Sequence, residues 1–203
     1  MRAAQLMISG IESALRGRTA QRAEEGTFDT QAAVSLMLRP AGRGLEFLAI
    51  RRSENERDPW SGHMALPGGR KDPADESLWA TAVRETLEEV GIDLGSDARL
   101  LGQLDDVNPS IRLIPSIAIT PFVVAVDAGL VAMRSAEVER TVWVPLAALI
   151  DESFRGKLLV EALPGREHAT IEYEGYVIWG LTLMVLSQLE PILRRIGYPE
   201  AAG

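Results

Sequence analysis

The chain contains no cysteine, which excludes disulfides, thiol nucleophiles and cysteine-held metals. Histidine is scarce as well: His63 and His168 are the whole supply, too few for a multi-histidine zinc site. Basic charge is in deficit. Lys and Arg number 21 against 29 Asp and Glu, a formal net charge of -8, so no broad electrostatic surface for nucleic acid is expected. A small anionic ligand held through a metal stays open. The longest apolar runs, such as YVIWGLTLMVLSQL at 176–189, fall short of a clean membrane span. The first residues lack the succession of basic region, apolar run and small-residue cleavage site that marks a secretory signal. The expectation is a cytoplasmic protein with no nucleic-acid and no membrane partner.

What is present supports a folded domain. With 203 residues, 46% of them hydrophobic, the chain can bury a sizeable core. Residues 1–17 read as a helix, with Leu6, Met7, Ile11, Ala14 and Leu15 recurring near the helical period, and 1–28 as that helix plus a polar linker. AAVSLMLRP and LEFLAIRRS read as a hairpin joined by AGRG, and MALPGG as a short strand running into a turn. RLLGQLDDV, IAITPFVVAV, ERTVWVPL, KLLVEAL and ATIEYEGYVIW supply further strands. PLAALID reads as a short turn or helix, and GLTLMVLSQLEPILRRIG as a closing helix stopped by Gly197. This interleaving indicates one domain over 29–198 of the α/β or α+β class with a mixed sheet, to which the N-terminal helix is added.

One stretch calls for a chemical explanation. RETLEEVG, Arg84 to Gly91, lies in a helix predicted from Ser77 to Val90, with Asp72, Asp75 and Ser77 as competing N-caps and Gly91 as its stop. At about 100° per residue, Glu85, Glu88 and Glu89 stand at i, i+3 and i+4 and share one face. Trp79, Val83, Thr86, Leu87 and Val90 fall roughly opposite. Like charges so spaced repel by about 0.2–0.5 kcal/mol per pair. The face is either simply solvated or occupied by a cation. Two features favour the cation. The Pro67-Gly68-Gly69 turn lets bare backbone approach closely. Carboxylates joined by a backbone carbonyl also suit a hard divalent ion, and clustered carboxylates suit metal-assisted phosphoryl chemistry.

The segment GGRKDPADESLWATAVRETLEEVGI, Gly68 to Ile92, resembles the Nudix box of the Nudix hydrolases. That pattern is Gly, five residues, Glu, seven residues, then Arg-Glu-apolar-any-Glu-Glu-any-Gly-apolar. Gly69, Glu76, Arg84, Glu85, Glu88, Glu89, Gly91 and Ile92 occupy the fixed positions. Two departures stand out: six residues separate Gly69 from Glu76, and Thr86 takes the apolar slot. Upstream, Arg52, Ser53, Arg57 and Gly62 are similar to the segment preceding the box in the coenzyme A pyrophosphatase branch. There the gap from Arg57 to Gly62 is one residue too long, and Leu66 replaces an aromatic.

The resemblance implies a Nudix-type α/β/α sandwich and Mg2+- or Mn2+-dependent hydrolysis of a diphosphate in a nucleoside diphosphate derivative. Coenzyme A or acyl-coenzyme A would give 3',5'-ADP and a phosphopantetheine. ADP-ribose or a nucleotide sugar is the alternative substrate, and a non-catalytic Nudix-fold binding module the alternative class. By the same resemblance Glu85, Glu88, Glu89 and the Gly69 carbonyl hold metal. Glu88, Glu89 and Glu137 supply catalytic carboxylates, and Arg84 orients a box acid, with Glu76 as its family-typical partner. Arg52, Arg57 and His63 are the candidates for substrate phosphate. A homodimer is compatible with the family. His168 carries no motif, and Trp179 reads as a core residue.

Overall fold

The computed structural model describes residues 2–24, 26–42, 44–54, 62–108, 116–160 and 165–200. Alternation along three strands sets the architecture. Strand β1 (Thr30–Ala41) sends Ala33 and Met37 to one face and Leu36 and Leu38 to the other. Strand β2 (Gly44–Arg52) splits Leu48 and Ile50 from Leu45, Phe47 and Ala49 in the same way. Strand β6 (Ile117–Val126) splits Phe122, Val124 and Val126 from Val123. A sheet apolar on both faces needs cover on both.

The remaining strands are β3 (Met64–Ala65), β4 (Gly68–Arg70), β5 (Ala98–Gln103) and β7 (Val138–Pro145). Together these form a seven-stranded mixed sheet ordered β3-β2-β1-β6-β5, with β4 paired to β1 and β7 to β2. Only β1 and β6 run parallel among these pairs. Helix α2 (Leu78–Val90) and the short α3 (Leu94–Asp97) cover one face. Helix α1 (Arg2–Arg16), helices α4 (Gly180–Ser187) and α5 (Glu190–Arg195), and a small antiparallel sheet cover the other. That sheet contains β8 (Arg155–Leu159), β9 (Glu167–Tyr173) and β10 (Tyr176–Ile178) in the order β10-β9-β8. The α/β/α sandwich expected from the sequence is therefore present. No helix among the described residues is long and apolar enough to cross a membrane.

Several local expectations need correction. The buried stripe of α1 is Ala4, Ile8, Ile11 and Leu15; Leu6 is 67% exposed. A stripe at i, i+4, i+7 and i+11 is the one the sheet can accept, and Leu6 lies outside it. The closing helix is two, since Pro191 stands in the first turn of α5, where its missing N–H costs nothing but a continuous helix would lose a bond. The segment after α1 is polar yet tied down: Gln21 and Ala23 donate backbone N–H to the carboxylates of Asp105 and Asp106 at 2.8 and 2.9 Å. Helix α3 escapes the sequence pattern because four residues cannot show a period.

Ile11 is fully buried beside β5, so Ile11→Ala should lower unfolding free energy by about 2–5 kcal/mol in urea titration. Leu6→Ala should stay within about 0.5 kcal/mol of the parent. Equal effects would mean that α1 is not seated on this face.

Candidate active site

Helix α2 starts where Ser77 accepts the Ala80 N–H at 3.1 Å, which decides among the three candidate caps. It ends at Gly91, whose φ of 68° is the left-handed conformation that glycine adopts freely. Its seat on the sheet is polar at one point. Thr86 is fully buried, and its hydroxyl meets that of Ser35 at 2.8 Å. The apolar slot thus holds a threonine because a serine on β1 satisfies it. Ser35 also donates its backbone N–H to the Pro67 carbonyl at 2.8 Å, fixing the turn before β4.

Gly68 and Gly69 do not break regular structure, as their sequence suggests, but form a short strand against Val34 and Ala33. The reason for glycine is proximity. A side chain on Gly68 would run into the Ala33 carbonyl and Val34, and Gly68 has φ +146°. A Cβ on Gly69 would come within 2.6 Å of the Glu85 carboxylate. Bare backbone therefore lies directly against the acids of α2.

The three glutamates differ in environment. The Glu88 side chain is 59% exposed and that of Glu85 18%. Glu89 is 5% exposed and accepts the Gly68 N–H at 2.8 Å. The helical wheel puts all three on one open face, but Glu89 sits at its margin and turns toward β4. Leu87, placed by the wheel in the core, is 50% exposed. Burial pushes the Glu89 carboxyl up to about 7; the Gly68 N–H opposes this, Glu85 adds to it, and Arg52 opposes it and Glu137 adds to it more weakly. Glu85 is also raised, by burial first, against the pull of Arg84.

Arg84 binds four oxygen-bearing groups. Nε and Nη2 form a fork on Asp75 at 3.0 and 2.9 Å, Nη1 reaches Glu85 at 2.9 Å and Glu88 at 3.1 Å, and Nη2 reaches the Arg70 carbonyl at 3.1 Å. Its anchor is Asp75, not Glu76, which is exposed. The fork holds the Asp75 carboxyl well below the usual carboxylate range. The signal was available: Asp75 stands five intervening residues beyond Gly69, the position that the box spacing demands. The extra residue falls between this acid and Arg84.

Of the other candidates, Glu137 and Arg52 come within electrostatic reach of Glu89. The His63 ring packs on Trp179 with centroids 5.2 Å apart, and Trp179 is half-buried between His63 and His168. Arg57 lies outside the described residues. Glu139, beside Glu137 in sequence, pairs with Arg51 at 2.8 Å. Among the described residues no three carboxylates or imidazoles close into a ready-made ion cage. Arg84 holds two of the acids, and Gly68 holds the third.

The NUDIX domain family matches residues 29–162. The chain belongs to the Nudix family. A Nudix hydrolase, NudL, of Photorhabdus laumondii is 37% identical over 145 residues, 70% of this chain and 74% of that protein. The NudL of Yersinia pestis is 34% identical over the same length, 69% of that protein. A Schizosaccharomyces pombe protein is 41% identical over 107 residues, 51% of this chain; the match spans 32% of that protein, about a third. Two solved structures share the fold. They are a MutT/nudix family protein from Enterococcus faecalis (TM-score 0.53, 15% identity, 93% of this chain and 69% of that one) and a Nudix hydrolase from Alicyclobacillus acidocaldarius (TM-score 0.52, 18% identity, 88% and 100%). The Nudix domain and the Nudix hydrolase relatives together support an enzyme, a pyrophosphatase.

Two measurements test the site's electrostatics. Asp75→Ala should lower the melting temperature and Glu76→Ala should not; the reverse ranking would restore Glu76 as Arg84's anchor. For Glu89, the folded value of about 7 lies above the ordinary 4.5, so the folded chain keeps a proton that the unfolded chain has released. Stability falls as pH rises through that window and levels off above it. In EDTA, Glu89→Gln should remove a loss of about 3 kcal/mol between pH 4.5 and 8. Parallel stability–pH curves for variant and parent would refute the raised value.

Proposed function

We propose that the protein hydrolyses the diphosphate of coenzyme A or an acyl-coenzyme A, releasing 3',5'-ADP and a phosphopantetheine, with Mg2+ or Mn2+ as cofactor. The observation that carries the hydrolytic reading is the gathering of Glu85, Glu88 and Glu89 against the side-chain-free Gly68-Gly69 backbone. The Arg52-Ser53 pair and Gly62, which resemble the coenzyme A pyrophosphatase segment, support the substrate.

The donor set suits a hard divalent ion: carboxylate and carbonyl oxygens only, one of the acids being the buried Glu89, whose carboxyl burial pushes up to about 7. Glu85, Glu88, Glu89 and the Gly69 carbonyl would hold it. Bound there, the ion would neutralise the diphosphate and lower the pKa of a water. The chain's own residues do the rest. Arg84, anchored on Asp75, keeps Glu85 and Glu88 in fixed rotamers. The Gly68 N–H orients Glu89. Glu137 offers a further carboxylate, whose charge is already felt by Glu85 and Glu89. In hydrolysis a water oxygen bonds to one phosphorus, the bridging P–O bond breaks, and the water proton passes to one of these glutamates. Arg52, Arg57 and His63 are assigned to substrate phosphate, where a guanidinium matches the geometry of the oxygens.

ADP-ribose or a nucleotide sugar remains the second reading, favoured by the extra residue between Arg57 and Gly62. Retention of Glu85, Glu88 and Glu89 counts against a binding module without turnover. A magnesium-supplemented panel of coenzyme A, ADP-ribose and a nucleotide sugar, read by mass spectrometry, tests the proposal. Coenzyme A should yield phosphopantetheine and 3',5'-ADP, and Glu89→Gln should slow that reaction about 100-fold or more. Turnover of the nucleotide sugar with coenzyme A untouched would overturn the substrate. A Glu89→Gln enzyme at the parent rate would overturn the role of the glutamates.

A further inference from the structure

The connection from β6 to β7, residues 127–137, passes over the C-terminal end of helix α2. Its backbone is bolted at two places. Met133 and Ser135 donate their N–H groups to the carbonyls of Val90 and Glu89 at 2.9 and 3.1 Å. Those are carbonyls of a last helical turn, which have no partner within the helix. At its far end the loop meets Ser53, the residue after β2. The Ser53 N–H donates to the Glu137 carbonyl, and its hydroxyl donates to the Ala136 carbonyl, both at 2.9 Å. Between these attachments Ser135 Oγ accepts the Glu137 N–H at 3.2 Å. Both peptide groups flanking Glu137 are therefore held by serines, while its carboxylate faces solvent beside the α2 acids.

We infer that Ser53 and Ser135 are positioning residues that hold the Glu137 carboxylate at the site. The inference rests on the proposed role of Glu137. It changes the reading of Ser53. Within a segment that resembles a substrate-binding motif, its hydroxyl hydrogen is spent on Ala136, so its service is to the loop and not to substrate. Ser135 works from the opposite side and links Glu137 to the backbone of Glu89. Strand β2 and helix α2 thus fix one short loop between them, and the two serine hydroxyls add to the backbone bonds of Met133, Ser135 and Ser53 in setting where Glu137 stands relative to the α2 acids.

Four variants test this: Ser53→Ala, Ser53→Thr, Ser135→Ala and Glu137→Gln. Each is assayed for kcat and KM on whichever panel substrate the parent turns over fastest. Ser53→Ala and Ser135→Ala should each lower kcat about tenfold with KM nearly unchanged, since a small misplacement of a reacting group acts on the chemical step. Ser53→Thr, which keeps the hydroxyl, should recover most of the rate. In a Glu137→Gln background Ser53→Ala should cost nothing further, because the two then act on one element. A raised KM at constant kcat, persisting in that background, would make Ser53 a substrate contact and overturn the inference. Impaired Glu137→Gln beside parental Ser53→Ala would overturn it alone. Parental kcat in Glu137→Gln would remove Glu137 from the site and take the positioning role with it.

Discussion

Helix α2 meets the sheet where strand β4 has no side chains, and the site depends on that approach. Gly68 leaves space for the Ala33 carbonyl and offers its own N–H to Glu89. Gly69 leaves space for the Glu85 carboxylate. A Cβ at Gly69 would push helix and strand apart, and one at Gly68 would drive β4 off β1 and carry away the N–H that Glu89 accepts. The buried Ser35–Thr86 pair holds the same interface closed from beneath, and Ser35 also fixes the Pro67 carbonyl from which β4 sets out. Two hydroxyls and two missing side chains therefore determine how near the acids stand to backbone.

That proximity creates an electrostatic imbalance. Among the described residues, five carboxylates, those of Asp75, Glu85, Glu88, Glu89 and Glu137, gather with two guanidiniums, those of Arg84 and Arg52. Arg84 is committed to Asp75 by a two-pronged bond, the geometry that gains most from a guanidinium. Its remaining donors reach Glu85 and Glu88 but leave Glu89 to a single backbone N–H and the more distant Arg52. Burial then makes proton retention the cheapest response available to Glu89. A divalent cation would act on the same deficit with more charge.

Much of this was legible in the sequence, and the omissions have physical causes. Apolar runs between turn residues located β1, β2 and β6, and glycine after a periodic run located the end of α2. The spacing of Glu85, Glu88 and Glu89 brought attention to the right helix. A helical wheel, however, knows angles and not neighbours. It could not tell that β4 would reach one flank of α2 and bury Glu89 while leaving Leu87 in solvent. Pattern matching chose Glu76 by residue type, where the fold chose Asp75 by distance. A shorter acid suffices once the backbone brings it to Arg84. The serines around Glu137 carry no local signal, since their partners lie across the fold and are mainly backbone carbonyls.

The placement of the acids within α2 breaks a local rule, and the way it is compensated ties the site together. Glutamates stabilise the start of a helix and oppose the partial negative charge at its end. Here Glu85, Glu88 and Glu89 occupy the last two turns, and the final turn has no basic residue. The compensation comes from outside the helix: Arg84 on one side, the Gly68 N–H on another, and the N–H groups of Met133 and Ser135 on the terminal carbonyls. Each of these belongs to an element that also shapes the site, so loosening one exposes the charge that another was holding. Conflict between local preference and global placement is expected where function is built into a fold. The loop over the end of α2 is thus both a cap that the helix needs and the carrier of Glu137. The same two hydrogen bonds serve both purposes, which makes the helix's stability and the position of that carboxylate a single structural variable.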